Sequence, residues 1–334
     1  MTRHFLIPAA AAACVALFST MAQAETYRLT HNTSDATSWQ KGAEKFNELL
    51  AQASDGDIGV RIFPNAVLSG GDQMKQSEMV GRGDIDFVIT SAINVTPLIP
   101  EMAVFSLPYL FTDYEQVDRA IQGEPGDAVK DIARDKGIEI LAWGENGFRE
   151  LTNSVKPVSS PDDLRGMKIR VAGPMYIDVF DALGANPQQI QWTETFSALQ
   201  QGVVDGQENP VGSIIVPQRL YEVQDYLTEW HYSYDPIFVG VSERLWNSWD
   251  ADTQSLVRDA AQQAMAYQRN LAREQTSTGV DTLKQNGMEI TTLDEDQLQA
   301  FRDATSDVYD QWAARVGEDL VQTFEQSVGE ADSQ

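Results

Sequence analysis

The chain has 334 residues, 42% of them hydrophobic and 22% charged, and its 24 lysines and arginines stand against 50 acids for a formal charge of −26. This is a globular composition, long enough that two lobes are the expected arrangement. Its strong acidity excludes a general attraction to nucleic-acid phosphate or anionic lipid as the main activity, so any anionic ligand has to be met by a local cationic pocket.

Residues 1–24 read as an export signal: Arg3 and His4 open it, an apolar run covers residues 5–18, and Ala22-Gln23-Ala24 forms a small-x-small cleavage site. A membrane anchor is the competing reading, but the run is shorter than the roughly 20 residues a span requires. Cleavage after Ala24 leaves 310 residues with a charge of −27, since Arg3 is the one charge removed. Cys14 lies in the removed segment, so no thiol nucleophile, cysteine metal site or disulfide is expected in the mature chain.

Beyond the signal, strands alternate with helices, the pattern of α/β layers. Residues 26–31 form a short strand, followed by a helix with Trp39, Ala43, Phe46 and Leu50 on one face. Then come a strand at 58–63, a turn at Pro64-Asn65, a helix at 72–81 and an apolar strand at 85–90. Helices are predicted at 114–121 and 125–135, and a strand at 138–143. A second unit opens near Gly147. In it, Ser160-Pro161-Asp162-Asp163 carries the cap, proline and acids of a helix start. Strand 167–171, helix 174–183, strand 188–191, helix 193–201 and strand 203–208 follow. After strands at 226–232 and 237–241 the chain turns helical, at 251–275 and 295–312. No flexible linker separates the units, which predicts several ordered crossings between them.

Catalytic patterns are sparse. Only His31 and His231 survive signal removal, and no HExxH, CxxC or EF-hand spacing occurs. Ser38-Trp39-Gln40-Lys41 matches SxxK without its companion motifs. Ser69-Gly70-Gly71-Asp72 lacks the lysine of a phosphate loop and reads as a turn, and the pair Asp84 and Asp86 reads as solvated surface. More informative are Arg149 and Arg170, each placed near a strand end. A guanidinium can grip a carboxylate through two parallel hydrogen bonds, although composition alone favours pairing with one of the many local acids.

Several motifs occur in order: Phe63-Pro-Asn, Gly83-Asp-Ile-Asp-Phe, Phe105-Ser-Leu-Pro-Tyr, Gly147-Phe-Arg-Glu-Leu-Thr-Asn, Pro161-Asp-Asp-Leu-Arg-Gly-Met-Lys-Ile-Arg-Val, Ala198-Leu-Gln-Gln-Gly-Val-Val-Asp-Gly-Gln-Glu-Asn-Pro and Leu220-Tyr-Glu-Val. Together they resemble the substrate-binding proteins of tripartite ATP-independent periplasmic (TRAP) transporters, the DctP-like family. The resemblance implies an α/β, two-lobed periplasmic-binding-protein fold with strands and a long helix crossing between lobes and a ligand cleft at the interface. Lobe I would hold residues 25–146 and about 235–274, and lobe II residues 147–234 and about 275–334 with the C-terminal helices. It implies a periplasmic, monomeric, non-enzymatic protein without cofactor or metal. Such a protein hands a small organic acid to the small and large permease subunits.

The resemblance also assigns residues. Arg170 would be the main carboxylate contact, assisted by Arg149 and Asn209, with Trp192 against the ligand body and Gly173 completing the motif. Asn32, Gln73, Ser91 and Asn94 match positions that contact the distal end in sialic-acid-binding relatives. Gln73 and Ser91 replace acids there and Asn94 replaces a base. A side lined by these neutral groups would leave a second carboxylate without a partner and would suit hydroxyls. The favoured ligand is therefore a uronate or aldonate. A C4-dicarboxylate is the alternative within the family, and an exported hydrolase is the alternative of another class.

Overall fold

The structure is a computed structural model that describes residues 25–329, so the proposed signal lies outside the described residues. In chain order the first elements are β1 (Glu25–Thr30), α1 (Ser38–Ala53), β2 (Ile58–Phe63), α2 (Lys75–Gly81), β3 (Phe87–Ser91) and α3 (Ala92–Val95). They are followed by α4 (Tyr114–Gln122), α5 (Glu124–Arg134) and the long β4 (Ile138–Phe148). Trp39, Ala43, Phe46 and Leu50 are all buried on α1, as their spacing predicts. Helix α2 begins three residues later than expected, because the Asp72 carboxylate accepts the N–H groups of Met74 (3.0 Å) and Lys75 (3.1 Å) and closes a turn there instead.

The second unit supplies β5 (Glu150–Asn153), β6 (Lys168–Val171), α6 (Pro174–Ala182), β7 (Asn186–Gln189), α7 (Trp192–Gln200), β8 (Gly206–Asn209) and β9 (Tyr226–Glu229). The chain then runs through β10 (Tyr234–Ser242), α8 (Glu243–Trp246), α9 (Ala251–Gln285), β11 (Glu289–Thr292), α10 (Glu295–Val316) and α11 (Glu318–Gly329). The helix expected after Ser160 is a single 3-10 turn, Pro161–Leu164, although Ser160 and Asp163 do form a capping box. Leu164 is buried and Gly166 takes a positive φ of 74°, which turns the chain into β6 before a second turn can form.

Two sheets result. The first runs β2-β1-β3-β10-β4, with β1 parallel to β2 and β3, and β10 antiparallel to both β3 and β4. The second runs β11-β9-β5-β8-β6-β7. Crossings join them at three places. One is the step from β4 to β5 through Arg149, a second is the segment between β9 and β10, and the third is α9. At 1.5 Å per residue α9 is about 50 Å long, and it packs on α1 and β4 at one end and on the Val211–Ile215 turn and β11 at the other. Its passage over that turn requires Gly212, where a Cβ would stand 2.3 Å from the Thr276 backbone nitrogen. Helix α11 lies against α4 and α5, while α10 touches α6 and the 3-10 segment Pro100–Ser106. No helix among the described residues is long and apolar enough to cross a membrane.

Candidate functional site

Where the crossings meet, a small cavity lies between the sheets. Eight of the nine positions proposed from the sequence line it: Asn32, Gln73, Ser91, Asn94, Arg149, Arg170, Trp192 and Asn209. Gly173 is not among them. It sits at the start of α6, where a Cβ would come 3.0 Å from Ile93 Cγ1, so its bareness lets the first unit approach the second.

The two arginines, both in β-rich surroundings and both fully buried, differ in their partners. Arg149 donates through Nε and Nη2 to the Glu208 carboxylate, through Nη1 to Asp235 Oδ2 (2.9 Å), and through Nη2 to the Glu208 carbonyl (2.8 Å) and Asn209 Oδ1 (3.1 Å). Burial opposes its charge, but Glu208 and Asp235 hold the guanidinium well above its ordinary range. Arg170 projects from β6 and has no ion pair among the described residues. Its Nε donates to the Ile190 carbonyl (2.9 Å) and its Nη2 to Gln73 Oε1 (3.4 Å). Burial brings its pKa down to about 10, with the charge of Arg149 adding to the effect and that of Glu208 opposing it. A cation depressed in this way gains from any anion placed beside it. The Trp192 ring stacks 5.4 Å from the Arg170 Cζ and forms one wall.

The opposite wall is polar and almost uncharged. Gln73 reaches across the cavity, donating to Asn94 Oδ1 (2.9 Å) and the Ala172 carbonyl (3.2 Å) and accepting from the Trp192 backbone N–H (2.8 Å). Asn32 Oδ1 is buried without a partner, and so is Asp235 Oδ1. Asn146 and Asp235 are wall residues that sequence reasoning missed. Asn146 accepts from Trp39 Nε1 (3.2 Å) and donates to Asp235 Oδ2 (2.8 Å), which ties α1, β4 and β10 together. Burial raises the Asp235 carboxyl, while Arg149 and Asn146 oppose the rise. A signal for Asn146 existed in its place three residues before Arg149, but in a chain of 50 acids nothing singled out Asp235.

The remaining sequence candidates have structural explanations. His31 is buried between Thr33 Oγ1 (3.1 Å) and Gln40 Oε1 (2.8 Å). Ser38 accepts from Gln268 Nε2 (3.1 Å), whereas Lys41 pairs outward with Glu44, so SxxK is no dyad. Asp86 accepts the Arg28 N–H (2.7 Å) and Asp84 pairs with Arg82.

Two lobes joined by several crossings, with a buried cation facing a polar cavity between them, define a solute-binding protein. The chain belongs to the bacterial extracellular solute-binding proteins, family 7 (DctP), whose pattern matches residues 29–315. It is similar to the 2,3-diketo-L-gulonate-binding periplasmic protein of Escherichia coli K12, at 34% identity over 87% of this chain and 88% of the relative. A TRAP periplasmic solute-binding protein of Ralstonia eutropha H16, solved with bound (S)-2-acetolactate, superposes with a TM-score of 0.89 at 37% identity, covering 91% of this chain and 99% of that one. The galactonate complex of a sugar-acid-binding protein from Advenella mimigardefordensis gives 0.88 at 29% identity, covering 92% and 99%. The protein is thus a solute-binding component of a TRAP transporter, a transport protein and not an enzyme.

Proposed function

We propose that the ligand is a hydroxylated monocarboxylate of monosaccharide size, such as an aldonate or uronate. Arg170 clamps its carboxylate, helped by the remaining Arg149 N–H and by Asn209, and Trp192 covers its body. Asn32, Ser91, Asn94 and the free oxygen of Asp235 meet its hydroxyls, and Gln73 spans the cleft beside them. The observation that carries this reading is the fully buried, unpaired guanidinium of Arg170 facing a wall with no second free cation among the described residues. A C4-dicarboxylate would bring its far carboxylate against the neutral groups of Asn32, Ser91 and Asn94, where no second free cation among the described residues offsets its desolvation, even though the family includes C4-dicarboxylate binders and a relative solved with succinate.

In this reading the signal is cleaved after Ala24, the mature protein acts as a periplasmic monomer, and the closed, loaded form docks on the small and large permease subunits. The lobes comprise residues 25–146 with about 235–274, and 147–234 with about 275–334. Thermal-shift titration of the mature chain with galactonate, galacturonate, acetolactate and succinate tests the ligand class, since a ligand at 100 times its Kd stabilises by about 2.7 kcal/mol. The hydroxylated monocarboxylates should give the larger shifts and be recovered unchanged. A larger shift with succinate would overturn the reading.

A further inference from the structure

On residues that share nothing with the ligand cavity lies a second cavity, of about 290 Å³. Its walls are built by Tyr109 and Phe111 after the Pro100–Ser106 segment, by Trp230 and His231 between β9 and β10, and by Leu298 and Arg302 of α10. Two features mark it. Tyr109 and His231 both hold positive φ, 59° and 45°, a backbone state that non-glycine residues rarely adopt. Trp230 Nε1 and Tyr109 Oη, both buried, are without hydrogen-bond partners, and Trp230 is only 2% exposed. An indole N–H can only donate.

The wall also carries two cationic donors, His231 and Arg302, and one acid, Glu229. The His231 Nδ1 pairs with Glu150 Oε1 at 2.8 Å, and that carboxylate also accepts the backbone N–H groups of Trp230 (2.8 Å) and His231 (3.1 Å). The charge of Glu150 lifts the His231 pKa to about 9 against the opposing effect of burial. The imidazolium is half exposed and its other N–H is uncommitted. Arg302 lies 5.5 Å over the Tyr109 ring and is joined to Glu295 through one nitrogen. Glu229, the acid in the wall, is engaged by the Thr292 hydroxyl (2.9 Å). Leu293, Leu298 and Phe111 supply the apolar floor. Donors gathered at an apolar floor call for a ligand with an acceptor head and an apolar body.

We propose that this cavity is a second small-molecule site, separate from the transport site, that takes a small apolar monocarboxylate such as an aromatic or branched-chain acid. The head is received by His231 and Arg302 and the body rests on Leu293, Leu298 and Phe111. The probe is 3-(4-fluorophenyl)propanoate, followed by fluorine NMR on the mature chain. Arg170→Ala protein serves as the background, so that capture in the transport cavity is removed. Saturable binding should persist in Arg170→Ala and weaken at least tenfold when Arg302→Ala or Leu298→Trp is added, with melting curves confirming the fold. Arg302 is partly exposed and should be replaceable without loss of folding. Binding lost in Arg170→Ala alone would place the probe in the transport cavity and overturn the proposal. So would binding insensitive to both cavity variants, or a Kd weaker than about 1 mM. The fate of the sugar-acid reading is decided separately by its own thermal-shift series.

Discussion

Arg149 and Arg170 are equally buried, yet they should fail in opposite ways when removed. Arg149→Ala leaves Glu208 and Asp235 as buried carboxylates without their cation, a loss that typically costs about 3–5 kcal/mol of stability, so a lowered melting temperature is the expected result. Arg170→Ala removes a cation that no acid compensates, so the fold should survive. Ligand binding loses a charged hydrogen-bond partner worth about 1.5–3 kcal/mol, at least tenfold in affinity. Arg170→Lys keeps the charge but not the planar fork and should recover part of the loss. Calorimetric titration alongside melting curves checks both. A folded Arg170→Ala protein with wild-type affinity would remove Arg170 from the site, and an Arg149→Ala protein of unchanged stability would remove the ion-pair account. At this scale the cavity was legible in the sequence because Arg149, Arg170 and Asn209 sit in motifs with family-like spacing, while Asn32, Gln73, Ser91, Asn94 and Trp192 could be placed only by matching family positions. What composition could not reveal was which arginine has an acid beside it, since the partners of Arg149 come from positions 59 and 86 residues away.

Among the elements, the junction of β4, α4 and α9 carries a testable pH dependence. Arg273 of α9 donates to Glu145 of β4 (2.8 Å) and to Asp118 of α4 (2.8 Å), and packs 4.5 Å over the Tyr114 ring. Tyr234 donates to the same glutamate at 3.3 Å. Burial outweighs the attraction of Arg273 and, with Asp118 adding its charge, raises Glu145 from 4.5 to about 7. The folded state therefore holds this proton more tightly than the unfolded chain. The stabilisation is complete below about 4.5 and is lost as pH rises through about 7. Relative to Glu145→Gln, the wild type should lose stability across that window, by about 1.4 kcal/mol for each factor of ten by which folding tightens the hold on the proton. Parallel pH profiles of the two proteins would count against the assignment. Strongly periodic elements such as α1 and β2 were readable from sequence. The extension of α9 past Gln275 was not, because Thr276-Ser277-Thr278-Gly279 is a poor helical stretch that is held in place by the Val211–Ile215 turn. There a Cβ on Gly279 would meet Val211 Cγ1 at 2.5 Å. Strand β11 and helix α11 escaped notice for a related reason: β11 completes the edge of a sheet whose other members lie far away in sequence, and α11 finds its apolar partners on α4 and α5.

At the scale of the whole molecule, the walls of the ligand cavity meet across it through a small set of polar contacts centred on one residue. The Gln73 amide joins Ala172, Trp192 and Arg170, and its backbone N–H donates to Gln191 Oε1 (3.1 Å). Gln218 Nε2 to Ser34 Oγ (2.8 Å) and Thr193 Oγ1 to the Gly71 carbonyl (3.4 Å) flank it. Hinge closure around a ligand is the motion for which periplasmic binding proteins are a standard example, and here the closed arrangement draws part of its stability from these contacts. Gln73→Ala deletes the three amide contacts across the cleft, each worth about 0.5–1.5 kcal/mol net, and leaves the crossings and the hydrophobic clusters untouched. Its folding stability should therefore change little, whereas the open form should gain population. Because closing contacts act after encounter, the association rate should hold and dissociation should quicken by about tenfold or more. Stopped-flow traces with the ligand identified by thermal shift separate the two rates, and small-angle scattering of the liganded variant should show a larger radius of gyration at subsaturating ligand than the wild type. A Gln73→Ala protein whose dissociation rate matches the wild type would mean that the cleft is held shut by the ligand alone.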